Sequence, residues 1–155
     1  MFWYCDFEAY QIGQADFIIK EICILSSDGC QCYNYFVTNP KKFPFFPSSA
    51  SVCYQFRRHK LNWAFGDYNF EEAIYDIMDK VKSDLVLVKG MEKRLFLAQY
   101  LHLVGELQGL PAFKHMNNCL QEWCDYKHGT QCARRKVHEL RHFNQLMSAN
   151  SEDFW

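Results

Sequence analysis

The stretch DFIIKEICILSSDGCQCYNYFVT, Asp16 to Thr38, decides how the chain folds. Its two outer runs are rich in β-branched and aromatic residues, side chains that suit a pleated, half-buried surface. Ser26, Ser27, Asp28 and Gly29 between them supply turn chemistry, so the segment reads as a hairpin. Upstream, FWYCDFEAY (residues 2–10) has the same character and adds a third strand, which makes an antiparallel meander. Downstream, NPKKFPFFPSSA (39–50) holds three of the four prolines and reads as a loop, because proline cannot donate to a ladder. A short helix is expected over 52–59.

From Asn69 the period changes. Phe70, Ala73, Ile74, Ile77, Met78 and Val81 recur at helical spacing, the stripe of an amphipathic helix. DLVLVKG then predicts a short buried strand, followed by a helix over roughly 92–100 and a strand over 103–107. A last helix has Ala133, Val137, Leu140 and Met147 for its buried face. The fold class is therefore α/β: a mixed sheet, the three-stranded meander plus parallel strands, flanked by helices. One domain is expected over 1–147, with SANSEDFW (148–155) as a flexible acidic tail.

A chain of 155 residues that is 49% hydrophobic is large enough for one sizeable core. The formal net charge of -1 gives no global pull toward nucleic acid or an anionic membrane, so such binding requires a local patch. No apolar run approaches the roughly 18 residues of a membrane span, and MFWYCDFEAY is acidic where an export signal is basic. The expectation is an intracellular protein, cytoplasmic and/or nuclear, with no membrane contact. The eight cysteines are then free or metal-bound, and Cys5, Cys23, Cys30, Cys32 and Cys53 read as small buried hydrophobes.

Three features carry chemistry. Asp6 and Glu8 lie two apart on a strand and project from the same face, the arrangement that two-metal phosphoryl chemistry needs. Cys124, His128 and Cys132, spaced C-x3-H-x3-C, offer three zinc ligands, and Cys119 would complete a local set of four. Arg134, Arg135, Lys136 and Arg141, with His138 and His142, crowd the last helix as candidate phosphate contacts. A second basic run covers Arg57 to Lys60, and Trp63 and Tyr126 are available to stack on bases. The alternative for the basic helix is a solvated face.

Asp6-x-Glu8 on the first strand, IIKEICIL on the second and a late histidine resemble the DEDDh exonucleases of the ribonuclease H-like fold, over nearly the whole chain. In that resemblance VKGMEKRLFL puts Lys93 at an acidic position, with Glu92 beside it, and HGTQCARRK has His128 in place but Cys132 where an acid belongs. The implied catalytic set is broken, since an ammonium repels Mg²⁺ and a thiol is a poor ligand for it. Asp125 or Glu106 are the available substitutes. The chain is similar in these respects to the Maelstrom domain, a degenerate relative that binds zinc through Glu, Cys, His and Cys. That likeness implies one structural zinc on Glu21, Cys124, His128 and Cys132. It also implies an inactive module that binds single-stranded RNA weakly, or protein partners, in RNA silencing of the piRNA type. The alternative is an active metal-dependent 3′–5′ exonuclease using Asp6 and Glu8.

Overall fold

The computed structural model describes residues 1–38, 60–61, 65–108 and 132–152. Strands β1 (Phe2–Gly13), β2 (Asp16–Ser26) and β3 (Cys32–Phe36) form the antiparallel meander. Helix α1 (Phe70–Val81), strand β4 (Leu85–Val88), helix α2 (Met91–Leu97), strand β5 (Leu103–Glu106) and helix α3 (Ala133–Glu152) follow. The five-stranded sheet has the order β3-β2-β1-β4-β5, with β4 and β5 running parallel to β1.

The hairpin turn is tied by Asp28, whose Oδ1 accepts from the Cys30 amide at 2.9 Å and from Ser26 Oγ at 2.6 Å. Gly29 has φ 78°, and a Cβ there would stand 2.8 Å from the Arg141 guanidinium. The positive φ favours glycine, and a Cβ would also press on the movable end of the Arg141 side chain. This turn also exposes Cys30, which the sequence places in the core. Helix α1 begins where Asn69 Oδ1 accepts the Glu72 amide at 2.8 Å, satisfying one of the first-turn donors that a helix leaves unpaired.

Strand alternation divides the sheet into two different faces. Trp3, Cys5, Phe7, Ile22 and Ile24 point to one side and pack with Ala73, Ile74, Ile77 and Val81 of α1 and with Phe96 and Leu97 of α2. Tyr4, Cys23 and Leu25 point to the other and meet Ala133, Val137 and Leu140 of α3. The polar residues Asp6, Glu8 and Glu21 share this second face, because they keep the same parity along their strands. β2 carries one extra residue near Lys20, between the pairs Glu8↔Glu21 and Ala9↔Ile19. This bulge lets Ile19 and Ile22 join one apolar cluster although they are three apart.

Several boundaries differ from the sequence reading. The helix expected over 92–100 stops at Leu97, where Ala98 donates back to Arg94 O. The strand expected to reach Leu107 ends at Glu106, although the Leu107 amide still bonds Val88 O at 2.7 Å. Met78 and Met147, both assigned to buried stripes, are more than a third exposed. Met78 lies at the margin of its helix's apolar arc, and Met147 lies near the end of α3, where residues 145–148 are all exposed. α3 continues to Glu152, into the segment expected as a tail. The helix expected over 52–59 and Cys53 lie outside the described residues. Among the described residues no helix is long and apolar enough to cross a membrane.

Candidate functional site

β1 has twelve residues and β4 has four, and they pair only from Phe2 to Tyr4. The strand order also reverses between them, and the carboxyl ends of strands at such a reversal are the usual ligand position in open α/β sheets. Asp6 and Glu8 lie on β1 just past the last β4 pair, and both are buried. Helix α2, which starts three residues after β4, brings Lys93 to Asp6.

Lys93 Nζ donates to Asp6 Oδ1 at 2.6 Å and to Phe7 O at 2.9 Å, and it stands 4.9 Å from the centre of the Phe7 ring. From the opposite side Lys136 of α3 donates to Glu8 Oε1 at 2.5 Å. Asp6 is fully enclosed, and Lys136 is only 5% exposed. Ion pairs this deep are expensive to desolvate and persist only with close geometry and further hydrogen bonds. Burial pushes the Asp6 carboxyl up, and the two ammonium groups pull it back only in part. Burial opposes the charge on Lys93, yet Asp6 and Glu8 outweigh it and hold Lys93 above the usual lysine range. Asp6 Oδ2 is buried with no hydrogen-bond partner among the described residues.

A third carboxylate belongs to this cluster. Glu139 of α3 is 3% exposed, and its Oε1 lies 3.7 Å from Arg135 Nε. Burial lifts its pKa to about 7, with Arg135 and Lys136 opposing the rise and Asp6 adding to it. Asp6, Glu8 and Glu139 thus face Lys93, Lys136 and Arg135, three carboxyl groups against three cations. Asp6 and Glu8, the carboxylates singled out for divalent ions, are each paired with a lysine ammonium. Sequence reasoning picked out Asp6, Glu8 and Lys93 but missed Glu139 and the inward turn of Lys136. The signal was present: Ala133, Lys136, Val137 and Leu140 follow i, i+3, i+4, i+7, which places Lys136 on the buried stripe.

Glu21 lies beside Glu8 across the β1–β2 ladder and is fully buried. Its Oε1 accepts the Ala133 amide at 2.8 Å, so an anion caps the start of α3 where the helix dipole favours one. Oε2 accepts from Asn34 Nδ2 at 3.2 Å and lies 4.0 Å from Cys132 Sγ. Oxygen and sulfur on one tetrahedral zinc stand about 3.6 Å apart, given the usual bond lengths. The fold therefore brings Glu21 and Cys132, 111 residues apart in sequence, within reach of a shared ion. Cys124, His128 and the rival Cys119 lie outside the described residues, as do Asp125, Tyr126 and Trp63. Among the described residues no three His, Cys, Asp or Glu side chains are placed to hold a metal.

The basic helix is less free than its sequence implies. Lys136 is committed to Glu8, which corrects its expected place among outward phosphate contacts. Arg135 pairs with Glu139. Arg141 donates to Ser27 O and Asp28 O, each at 3.1 Å, and clamps the β2–β3 turn. Arg134 is half-buried above β3. Compared with models of protein families and with curated proteins, the chain matches none.

Proposed function

We propose that the chain is a catalytically silent, ribonuclease H-like domain of the Maelstrom kind, a binding module for single-stranded RNA or protein partners in RNA silencing of the piRNA type. The observation that carries the reading is the pairing of Lys93 with Asp6 and of Lys136 with Glu8, the two carboxylates with which an exonuclease would hold its metal ions. The strand order and the approach of Cys132 to Glu21 agree with it. Glu21, Cys124, His128 and Cys132 would hold a zinc ion whose contribution is structural, joining the start of α3 to β2. Weak phosphate contacts would fall to Arg134, Arg135 and Arg141.

The test uses full-length protein purified without added metal. Elemental analysis should find one zinc per chain. Labelled single-stranded RNA should be retained at low salt and remain intact with Mg²⁺ or Mn²⁺. Degradation abolished by Asp6→Ala would establish the exonuclease reading, and folded protein without zinc would remove the zinc reading. Absence of RNA binding at low salt would leave the protein-partner role alone.

A further inference from the structure

The face beneath α3 carries a second group of reactive atoms that neither the lysine pairs nor the proposed zinc ligands use. Cys23 Sγ on β2 and Cys32 Sγ on β3 are 3.6 Å apart, and both are free thiols. Cys32 stands opposite Leu25 and Cys23 opposite Asn34, so the two are diagonal neighbours across the ladder. Cys23 is completely enclosed, whereas Cys32 is partly open to solvent. α3 lays two side chains against the open one: His138 hydrogen-bonds Cys32, and Arg134 lies near it.

We propose that Cys32 is a hydroperoxide-reactive thiol and that Cys23 is its resolving partner. The order of events follows from burial, since Cys32 is partly open to a peroxide and Cys23 is completely enclosed. In the first step the Cys32 thiolate attacks one peroxide oxygen. A sulfur–oxygen bond forms, the oxygen–oxygen bond breaks, and the departing oxygen takes a proton and leaves as alcohol or water. The sulfur becomes a sulfenic acid. In the second step Cys23 sulfur attacks Cys32 sulfur, the sulfur–oxygen bond breaks, and hydroxide leaves as water with the Cys23 proton. Two electrons pass from the thiol pair to the peroxide.

The surroundings favour the reactive form of Cys32. The hydrogen bond shared with Cys23 holds the Cys32 thiol below the ordinary cysteine range against the opposing effect of burial, and His138 and Arg134 add to the lowering. The thiolate is the nucleophile, so this raises reactivity at neutral pH. Register decides how durable the product is. Diagonal Cα atoms in an antiparallel pair stand roughly 7–8 Å apart, beyond the usual disulfide span of about 4.4–6.8 Å. The strands must draw together to close the bond, and a disulfide strained in this way is readily reduced.

The test treats the full chain with one equivalent of hydrogen peroxide, with and without dimedone, and maps peptides under non-reducing conditions. The wild type should give a Cys23–Cys32 cross-link that reduced glutathione reverses. Cys23→Ser should instead accumulate a dimedone adduct on Cys32, and Cys32→Ser should lose both products. His138→Gln should slow oxidation of Cys32 severalfold at neutral pH. A wild-type measurement guards against variants that fail to fold. Alkylation of Cys32, which faces Cys23, His138 and Arg134, should lose less rate below neutral pH than an ordinary thiol, which loses about tenfold per unit. Oxidation of exposed Cys30 at the same rate as Cys32, or no cross-link in the wild type, would overturn the proposal.

Discussion

The two faces of the sheet are built from the same strands and held by opposite means. Under α1 and α2, Trp3, Phe7, Ile22, Ile24 and Ile77 form an apolar cluster, and its stability comes from surface removed from water. Under α3, the apolar patch around Tyr4, Leu25 and Leu140 adjoins Asp6, Glu8, Glu21 and Glu139, with Lys93 and Lys136 set among them. The first arrangement is tolerant, since apolar side chains of similar volume substitute for one another at modest cost. The second is not. Its buried charges depend on particular partners, and the loss of a main partner strands the charge it leaves.

The sharpest way to separate the faces is to break one ion pair. Lys93→Met leaves Asp6 enclosed without its main cation and should cost about 3–5 kcal/mol in urea unfolding at neutral pH. Asp6→Asn in the same chain should restore most of that loss. The cost should also shrink in acid, where Asp6 takes up a proton. A cost below about 1 kcal/mol would mean that the pair contributes little beyond what water would supply.

On the apolar face Ile77→Ala should cost about 2–5 kcal/mol through lost burial and the cavity left behind. No change of charge elsewhere should restore it, and its size should not depend on pH. A strong pH dependence would show that the two faces are coupled through the sheet.

A gentler probe is Glu139. Its pKa in the fold is about 7 against an ordinary value of 4.5, so the folded state holds the proton more tightly than the unfolded chain. Stability from this group is full below about pH 4.5 and falls as pH rises toward 7, by about 3 kcal/mol at most. Glu139→Gln should remove that share of the slope, as read from urea midpoints between pH 5 and 7.5. An unchanged slope would move the titration to Asp6, whose carboxyl is also raised.

Much of the fold was legible because its signals are local. The turn residues around Asp28 and Gly29 and the stripe from Phe70 to Val81 each specify their element without help from distant parts of the chain. Asp6 and Glu8 were legible as one constellation because strand parity alone puts them on a common face. What covers them was not, since Lys136 is 128 residues from Glu8 and Glu139 acquires its shifted proton only when α3 encloses it. Lys136 was counted as an outward cation because its arginine neighbours suggested a basic surface, while the helical period around Ala133 and Val137 argued for the inward face. Cys32 and Cys23 were read as plain core because nothing in CQCYNYFV reveals the histidine that α3 lays against them.

The lateness of α3 in the chain bears on biosynthesis. β3 ends at Phe36 and α3 begins at Ala133, about a hundred residues later. At ordinary translation speeds the ribosome needs roughly 5–20 s to cover that distance. During that interval the nascent meander can gain its apolar side from α1 and α2, while Glu8 and Glu21 stay hydrated and open to ions in the surrounding fluid. Lys136 reaches Glu8 only after nearly the whole described chain has been made. Sealing of the carboxylate face is therefore a late assembly step, and a nascent chain stalled before residue 133 would display Glu8 and Glu21 uncovered.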